Sequence, residues 1–396
     1  MSTIFNLLSL LYAWRSLQIG LTVWRRRAEW RPGPLTPDQA NLADQASFYL
    51  AVPIGVLVHE LGHALAVWLF GGRVVEFGYR LFWGYVVPQG RFSPAQDWFI
   101  SLAGTLGSLL FGLALWLLLR RHPAGVLRYF ALRALRFQIF FALIYYPLFS
   151  LVGLFGDWVS IYNFQATPLL SGLAAVGHLA TLAVYIWASR RGWFEMVSFA
   201  TAAEHERFQA IQQEASANPQ DGQAQLRLVE GLRLGGAPRQ AQSRLQTFLR
   251  GNPSSAEGYL QLAVLEGQRG RQLSPRARRY VETALALGLA RPSAVAHAHR
   301  LLAQYALDTG RPDQAIDHLD QALATVGDQL DPHPYYLRSL AYRQRKQYET
   351  AYQDIEQAIA LAQAAGNGQA VTFYQNARET IEKHAGRRLG TAVPLV

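Results

Sequence analysis

The 396-residue chain has no cysteine, which excludes disulfides, thiol catalysis and thiolate metal sites, so any metal must rest on histidine and carboxylate. Charge is missing over long stretches: residues 98–119 hold none, and between Phe137 and Ser189 the sole formal charge is Asp157. Tryptophan is absent after Trp193. What is present divides accordingly. Up to Arg191 the chain carries 15 basic and 7 acidic side chains, and residues 192–396 carry 22 and 20. The net charge of +10 therefore belongs mostly to the first half, and the mean hydropathy of +0.04 averages an apolar half with a polar one. Such counts fit a membrane half joined to a soluble half.

Four stretches are long enough to cross about 30 Å of hydrocarbon, at residues 47–70, 98–119, 137–160 and 169–188. Residues 4–24, with Arg15 at their centre, read either as an interfacial helix or as a poor fifth span. They lack a basic n-region and a small-residue cleavage site, which argues against a cleaved signal peptide. Arg25 to Arg27 and Arg31 precede the first span, Arg120, Arg121, Arg128, Arg133 and Arg136 lie between the second and third, and Arg190 and Arg191 follow the fourth. The opposite loops hold only Arg73, Arg80 and Arg91. By the positive-inside rule this multi-pass protein keeps its C-terminal half in the cytoplasm. Basic residues that flank spans also speak against a nucleic-acid partner.

Inside the first span, His59-Glu60-Leu61-Gly62-His63 forms an HExxH pattern. On a helix, residues i and i+4 share one face, so both imidazoles reach one metal while Glu60 projects about 100° away. Zinc suits neutral imidazole and lowers the pKa of its bound water to about 7, within reach of a neighbouring carboxylate base. With 10 histidines in the chain, chance supplies roughly 0.01 such matches. A titratable cluster in mid-membrane also costs on the order of 3 kcal/mol per charged residue, which a bound dication would offset. Gly55, Gly62 and Ala66 line nearly the same stripe and would admit another helix. A catalytic zinc needs a third protein ligand. Asp157, in LFGDW with Gly153 and Gly156 beside it and Pro147 ten residues earlier, is the natural candidate, and His178 competes with it. Ser160 and Asn163 follow closely and are candidates for holding extended substrate backbone.

From about residue 223 the sequence repeats. Ala241, Leu245 and Phe248 recur as Ala277, Val281 and Ala284, then Ala315, Leu319 and Ala322, then Ala351, Ile355 and Ala358, each set on one helical face. The third unit, LLAQYALDTGRPDQAIDHLDQAL, and the fourth, YYLRSLAYRQRKQYETAYQDIEQAI, resemble tetratricopeptide repeats in the small residue of the first helix, the Gly or Lys turn and the Ala of the second. Four such pairs and a capping helix near 368–384 would bury a continuous core and bind a protein partner. Tyr335, Tyr336 and Arg338 are candidates for a binding groove, and helix packing explains them equally well.

HELGHALAVWLFGGRVVEFGY, SLAGTLGSLLFG and GLFGDW together resemble the site-2 protease family of intramembrane zinc metalloproteases over about residues 50–160. The resemblance implies that His59, His63 and Asp157 bind one Zn2+, that Glu60 is the catalytic base, and that a hairpin near Val74 to Gln89 lies at the membrane surface and pairs with unwound substrate. Thr105 and Ser108 stand where the family usually has Pro and Asn, and Trp158 stands where Gly usually follows the ligand. In familiar members the HExxH helix also runs from outside to inside, opposite to the orientation the arginines give here. The expected fold class is mainly α: a polytopic membrane helix bundle with a small β-hairpin, followed by an α-solenoid of tetratricopeptide-like repeats. The expected domains are an amphipathic segment at 1–46, a membrane-embedded metalloprotease domain at 47–191, a linker helix at 192–222 and the repeats at 223–396. The function expected is a zinc metalloendopeptidase that cleaves transmembrane or membrane-proximal segments of a protein or peptide substrate in the lipid bilayer, with the repeats recruiting substrate, adaptor or regulator. The alternative is a non-catalytic membrane scaffold acting through its repeats.

Overall fold

Proline and its capping partners start the long helices. The computed structural model describes residues 2–153, 155–267, 273–326 and 331–389. Thr36 and Gln39 form a reciprocal capping box before Pro37, and Ser93 and Gln96 form another before Pro94, each pre-setting the first turn and satisfying amides that have no partner inside the helix. The chain divides into two units, Met1–Ala217 with Gly231–Ser243, and Asn218–Glu230 with Arg244–Val396.

The first unit begins with α1 (Ser2–Arg25), α2 (Pro37–Ala46) and α3 (Val52–Leu69), continues into a hairpin of β1 (Arg73–Tyr79) and β2 (Gly84–Gln89), and returns through α4 (Pro94–Leu119) and α5 (Gly125–Phe140). It closes with α6 (Tyr146–Gly153), the short α7 (Asp157–Ile161), α8 (Pro168–Arg190) and α9 (Ala202–Ala217). Among the described residues four continuous helices are long and apolar enough to cross a membrane: Pro37–Leu69, Pro94–Leu119, Gly125–Gly153 and Pro168–Arg190. Their outward faces carry exposed leucine and valine, among them Leu69, Leu118, Val152 and Leu169, as lipid contact requires. The third helix stops short of the expected 160. Gly156 adopts φ +93°, open to glycine and rarely to other residues, and its turn separates α6 from α7, so Asp157 starts a new element. α1 is not among the four. It exposes a stripe of Leu10, Trp14, Leu17, Leu21 and Trp24, and the exposed Arg15 guanidinium donates to Gln45 Oε1 (2.9 Å) on α2.

Two helices widen into π turns, Ser47–Ala51 and Phe141–Tyr145, each ending two residues before a proline, Pro53 and Pro147. Proline lacks an amide and crowds the carbonyl four residues back, and a π turn absorbs that mismatch. The hairpin pairs antiparallel, from Arg73 with Gln89 to Tyr79 with Gly84, with a bulge between Val74 and Glu76. It lies along α3 instead of capping its end. Tyr79 Oη donates to Pro53 O (2.9 Å) near the far end of α3, and Phe82 at the tip packs among Tyr12, Phe48 and Tyr49.

In the second unit α12 (Ala256–Gly267), α13 (Pro275–Leu287), α14 (Pro292–Asp308), α15 (Pro312–Val326), α16 (His333–Gln344), α17 (Tyr348–Ala364) and α18 (Gly368–Ala385) form a series in which each helix packs on the next. α10 (Gly222–Leu234) and α11 (Pro238–Gly251) precede them and straddle the division between units. α14 also meets α16, as first helices of successive hairpins do in a solenoid. The recurring positions on α13, α15 and α17 are all buried. Gly310 and Lys346, at matching points of two repeats, both turn with positive φ, 69° and 61°.

Candidate metal centre

His59 and His63 leave α3 on the face that meets α4. The helices approach closely because α4 offers backbone there: a Cβ on Gly62 would fall 2.5 Å from Ala103 O, and one on Gly104 would fall 2.3 Å from His63 Nε2 and 2.6 Å from His59 Nε2. The two imidazoles converge on a single carboxylate oxygen. His59 Nε2 and His63 Nε2 each lie 3.0 Å from Asp157 Oδ2, and among the described residues these three side chains form the one group of three or more metal-ligating donors. Sequence separation between the histidines and Asp157 is bridged by packing at α7, where Trp98 Nε1 donates to Ile161 O (3.0 Å) and ties that short helix to α4.

The remaining ring nitrogens are also engaged. His63 Nδ1 donates to Ile100 O (2.6 Å), and His59 Nδ1 pairs with Ser108 Oγ (3.2 Å), which donates to Gly55 O (3.4 Å). With Nδ1 protonated in both rings, each Nε2 keeps a lone pair aimed at the same point. Two imidazole nitrogens and one carboxylate oxygen, all within 4.8 Å of one another, match in kind and number the protein donors that zinc takes in catalytic sites. Glu60 is buried beside them, against the backbone of Gly84 at the start of β2.

The other sequence candidates lie elsewhere. His178 has both nitrogens committed: Tyr162 Oη donates to Nδ1 (2.5 Å), and Nε2 donates to Leu143 O (2.6 Å), the carbonyl that Pro147 cannot serve. Ser160 and Asn163 are exposed, Asn163 Oδ1 accepts from Ala166 N (3.1 Å), and neither shares a hydrogen bond with the cluster. In the repeats, Arg338 is held by Asp354 through two 2.8 Å bonds and by Asp320 at 2.5 Å, with Tyr335 beneath it, while Tyr336 packs on Phe373 and Tyr374. Sequence reasoning passed over Tyr146, whose hydroxyl lies 3.1 Å from Asp157 Oδ2. Its only signal was a polar aromatic next to Pro147 in an apolar run.

Solved structures share a distant likeness. That of MamA is 20% identical, with a TM-score of 0.33, covering 40% of this chain and 88% of that one. MamA 41-end from Desulfovibrio magneticus RS-1 is 19% identical at 0.32, covering 41% and 89%. The APC/C hetero-tetramer Cut9-Hcn1 is 16% identical at 0.38, covering 87% and 68%. Scores of this size support no inference about this chain. No curated protein matches it. The Peptidase M50B-like family does match, over residues 40–198, which contain all three donors of the cluster and Glu60. The resemblance to site-2 proteases therefore agrees with the family match, which covers residues 40–198 of the chain.

Proposed function

We propose that the first half is an intramembrane zinc metalloendopeptidase that cleaves a transmembrane or membrane-proximal segment of a protein substrate, and that the repeats recruit that substrate, an adaptor or a regulator. One observation carries the reading: two histidines one helical turn apart meet at 3.0 Å an acid that lies 98 residues beyond the first of them and is the sole formal charge between Phe137 and Ser189. His59, His63 and Asp157 would hold the ion. Bound there, zinc supplies Lewis acidity toward water and a peptide carbonyl. Glu60 takes the proton of the attacking water on its carboxylate and returns it to the departing amide nitrogen. The hairpin, running beside Glu60, offers strand backbone to which an unwound substrate can add. Ser160 and Asn163, exposed just beyond Asp157, are left to meet substrate backbone. The arginines beside the spans favour a cytoplasmic repeat domain.

The test is Glu60→Gln. Loss of the base lowers cleavage of a co-expressed membrane substrate by about 100-fold or more, while zinc stays bound at the wild-type level. Cleavage that persists in the Glu60→Gln variant sinks the mechanism.

A further inference from the structure

We propose that Tyr146 is a positioning residue for the metal centre: its hydroxyl fixes the Asp157 carboxylate and so sets how tightly the site holds its ion. The proposal rests on the metalloprotease reading above. Tyr146 Oη donates to Asp157 Oδ2 (3.1 Å) and accepts from Asp157 N (3.3 Å), so one hydroxyl grips both the side chain and the backbone of the same residue. The oxygen it holds is the one that both histidines approach.

Asp157 needs such a grip more than the histidines do. His59 and His63 sit within an 18-residue helix, whereas Asp157 opens a helix of five residues just after the Gly156 turn. Each histidine has its own orienting partner, Ser108 Oγ for His59 and Ile100 O for His63. Tyr146 completes the set with one for the acid. The tyrosine is itself held firmly: it follows directly on the π turn Phe141–Tyr145, precedes Pro147, and lays its ring edge-on to His59 with centroids 5.5 Å apart. Partners of this outer kind typically change metal affinity about 10- to 100-fold.

The test is a chelator-competition titration of zinc into full-length, metal-free protein, comparing wild type, Tyr146→Phe and Tyr162→Phe. Tyr162 donates to His178 and not to the cluster, so its variant reports what loss of a nearby tyrosine hydroxyl and its hydrogen bond does when no donor of the cluster is touched. Tyr146→Phe is expected to weaken zinc by about 10- to 100-fold and to shift the d–d bands of the cobalt-substituted site, with the metal-free thermal midpoint unchanged and Tyr162→Phe binding like wild type. Wild-type affinity and an unshifted cobalt spectrum in Tyr146→Phe overturn the proposal while the metalloprotease reading stands. A metal-free midpoint that falls, or an equal loss of affinity in Tyr162→Phe, assigns the residue to packing and overturns it as well. Failure of wild type to take up either metal overturns the metalloprotease reading and this proposal together.

Discussion

α3 and α4 meet through glycine, with Gly62 against the Ala103 carbonyl and Gly104 against two imidazoles, whereas α14, α15 and α16 meet through a buried cluster that includes Ala303, Leu307, Ala315, Leu319, Leu337 and Ala341. The outer surfaces invert in the same way. Exposed Leu, Val, Phe and Trp crowd the first unit, and the repeats put ion pairs outside, such as Arg300 with Asp331 and Arg378 with Glu356. Lipid already surrounds an apolar helix with apolar atoms, so burying leucine gains little there and close backbone approach does the packing. In water the same leucine is worth burying. A half built on glycine contact can bring polar side chains face to face, and a half built on apolar contact gains stability and adjustable surface. The candidate chemistry and the candidate recognition surface divide along that line.

The largest expected effect strikes the glycine contact. Gly104→Ala places a methyl inside the imidazole pair, so zinc affinity should fall on the order of 100-fold or more, read by metal analysis, with the thermal transition of the repeats unmoved. Full zinc content in that variant would mean the contact yields easily, and the contrast between the halves would weaken. Leu319→Ala strikes the other half. Truncating a fully buried leucine costs about 2–5 kcal/mol, visible in denaturant unfolding of the repeats and invisible in zinc content. A loss well under about 1 kcal/mol would argue that the repeats lack a tightly packed core.

The smallest effect is one of pH, confined to the second unit. His299 on α14 and His318 on α15 face each other with their Nδ1 atoms 3.3 Å apart, and burial holds both below the ordinary histidine value, with Asp317 and Glu282 partly opposing this for His318. Below about pH 6.5 the unfolded chain binds protons there that the folded one does not. Stability from this pair is therefore fully present above that pH and is lost as the pH falls through the folded values. Unfolding midpoints of the repeats measured between pH 7.5 and about 5.5 should decline, and His318→Asn should flatten the decline. An unchanged slope in His318→Asn would remove the pair as its cause.

Residue spacing made much of this legible. HExxH carried its own geometry, because i and i+4 share a face on any helix, and the recurring small and apolar sets carried theirs because each hairpin packs on the next. Isolation marked Asp157, since an acid in an apolar run stands out whatever the tertiary structure does. The end of the third helix was not legible: hydropathy continues smoothly through Gly156, whose positive φ sets the start of α7 apart from α6. Ser108 read as a departure from the family pattern, yet it holds His59 Nδ1, a role set by contact across 49 residues that no local pattern encodes. The course of the hairpin along α3 was not legible either, because its sequence fixes strand pairing and not the direction in which the paired strands lie.

The bond from His178 to the Leu143 carbonyl changes how histidines in apolar helices should be counted. A proline strands one acceptor a turn behind it, and in a bilayer no water comes to that acceptor's aid. The donor must come from a neighbouring helix, and imidazole reaches far enough to provide it. A ring so occupied through Nε2, and through Nδ1 by a phenol, has no lone pair left for a metal and no proton to spare for relay. In scanning such chains for chemistry, prolines are therefore worth tallying first, since each can account for one histidine as a repair to the backbone before any is assigned to an ion.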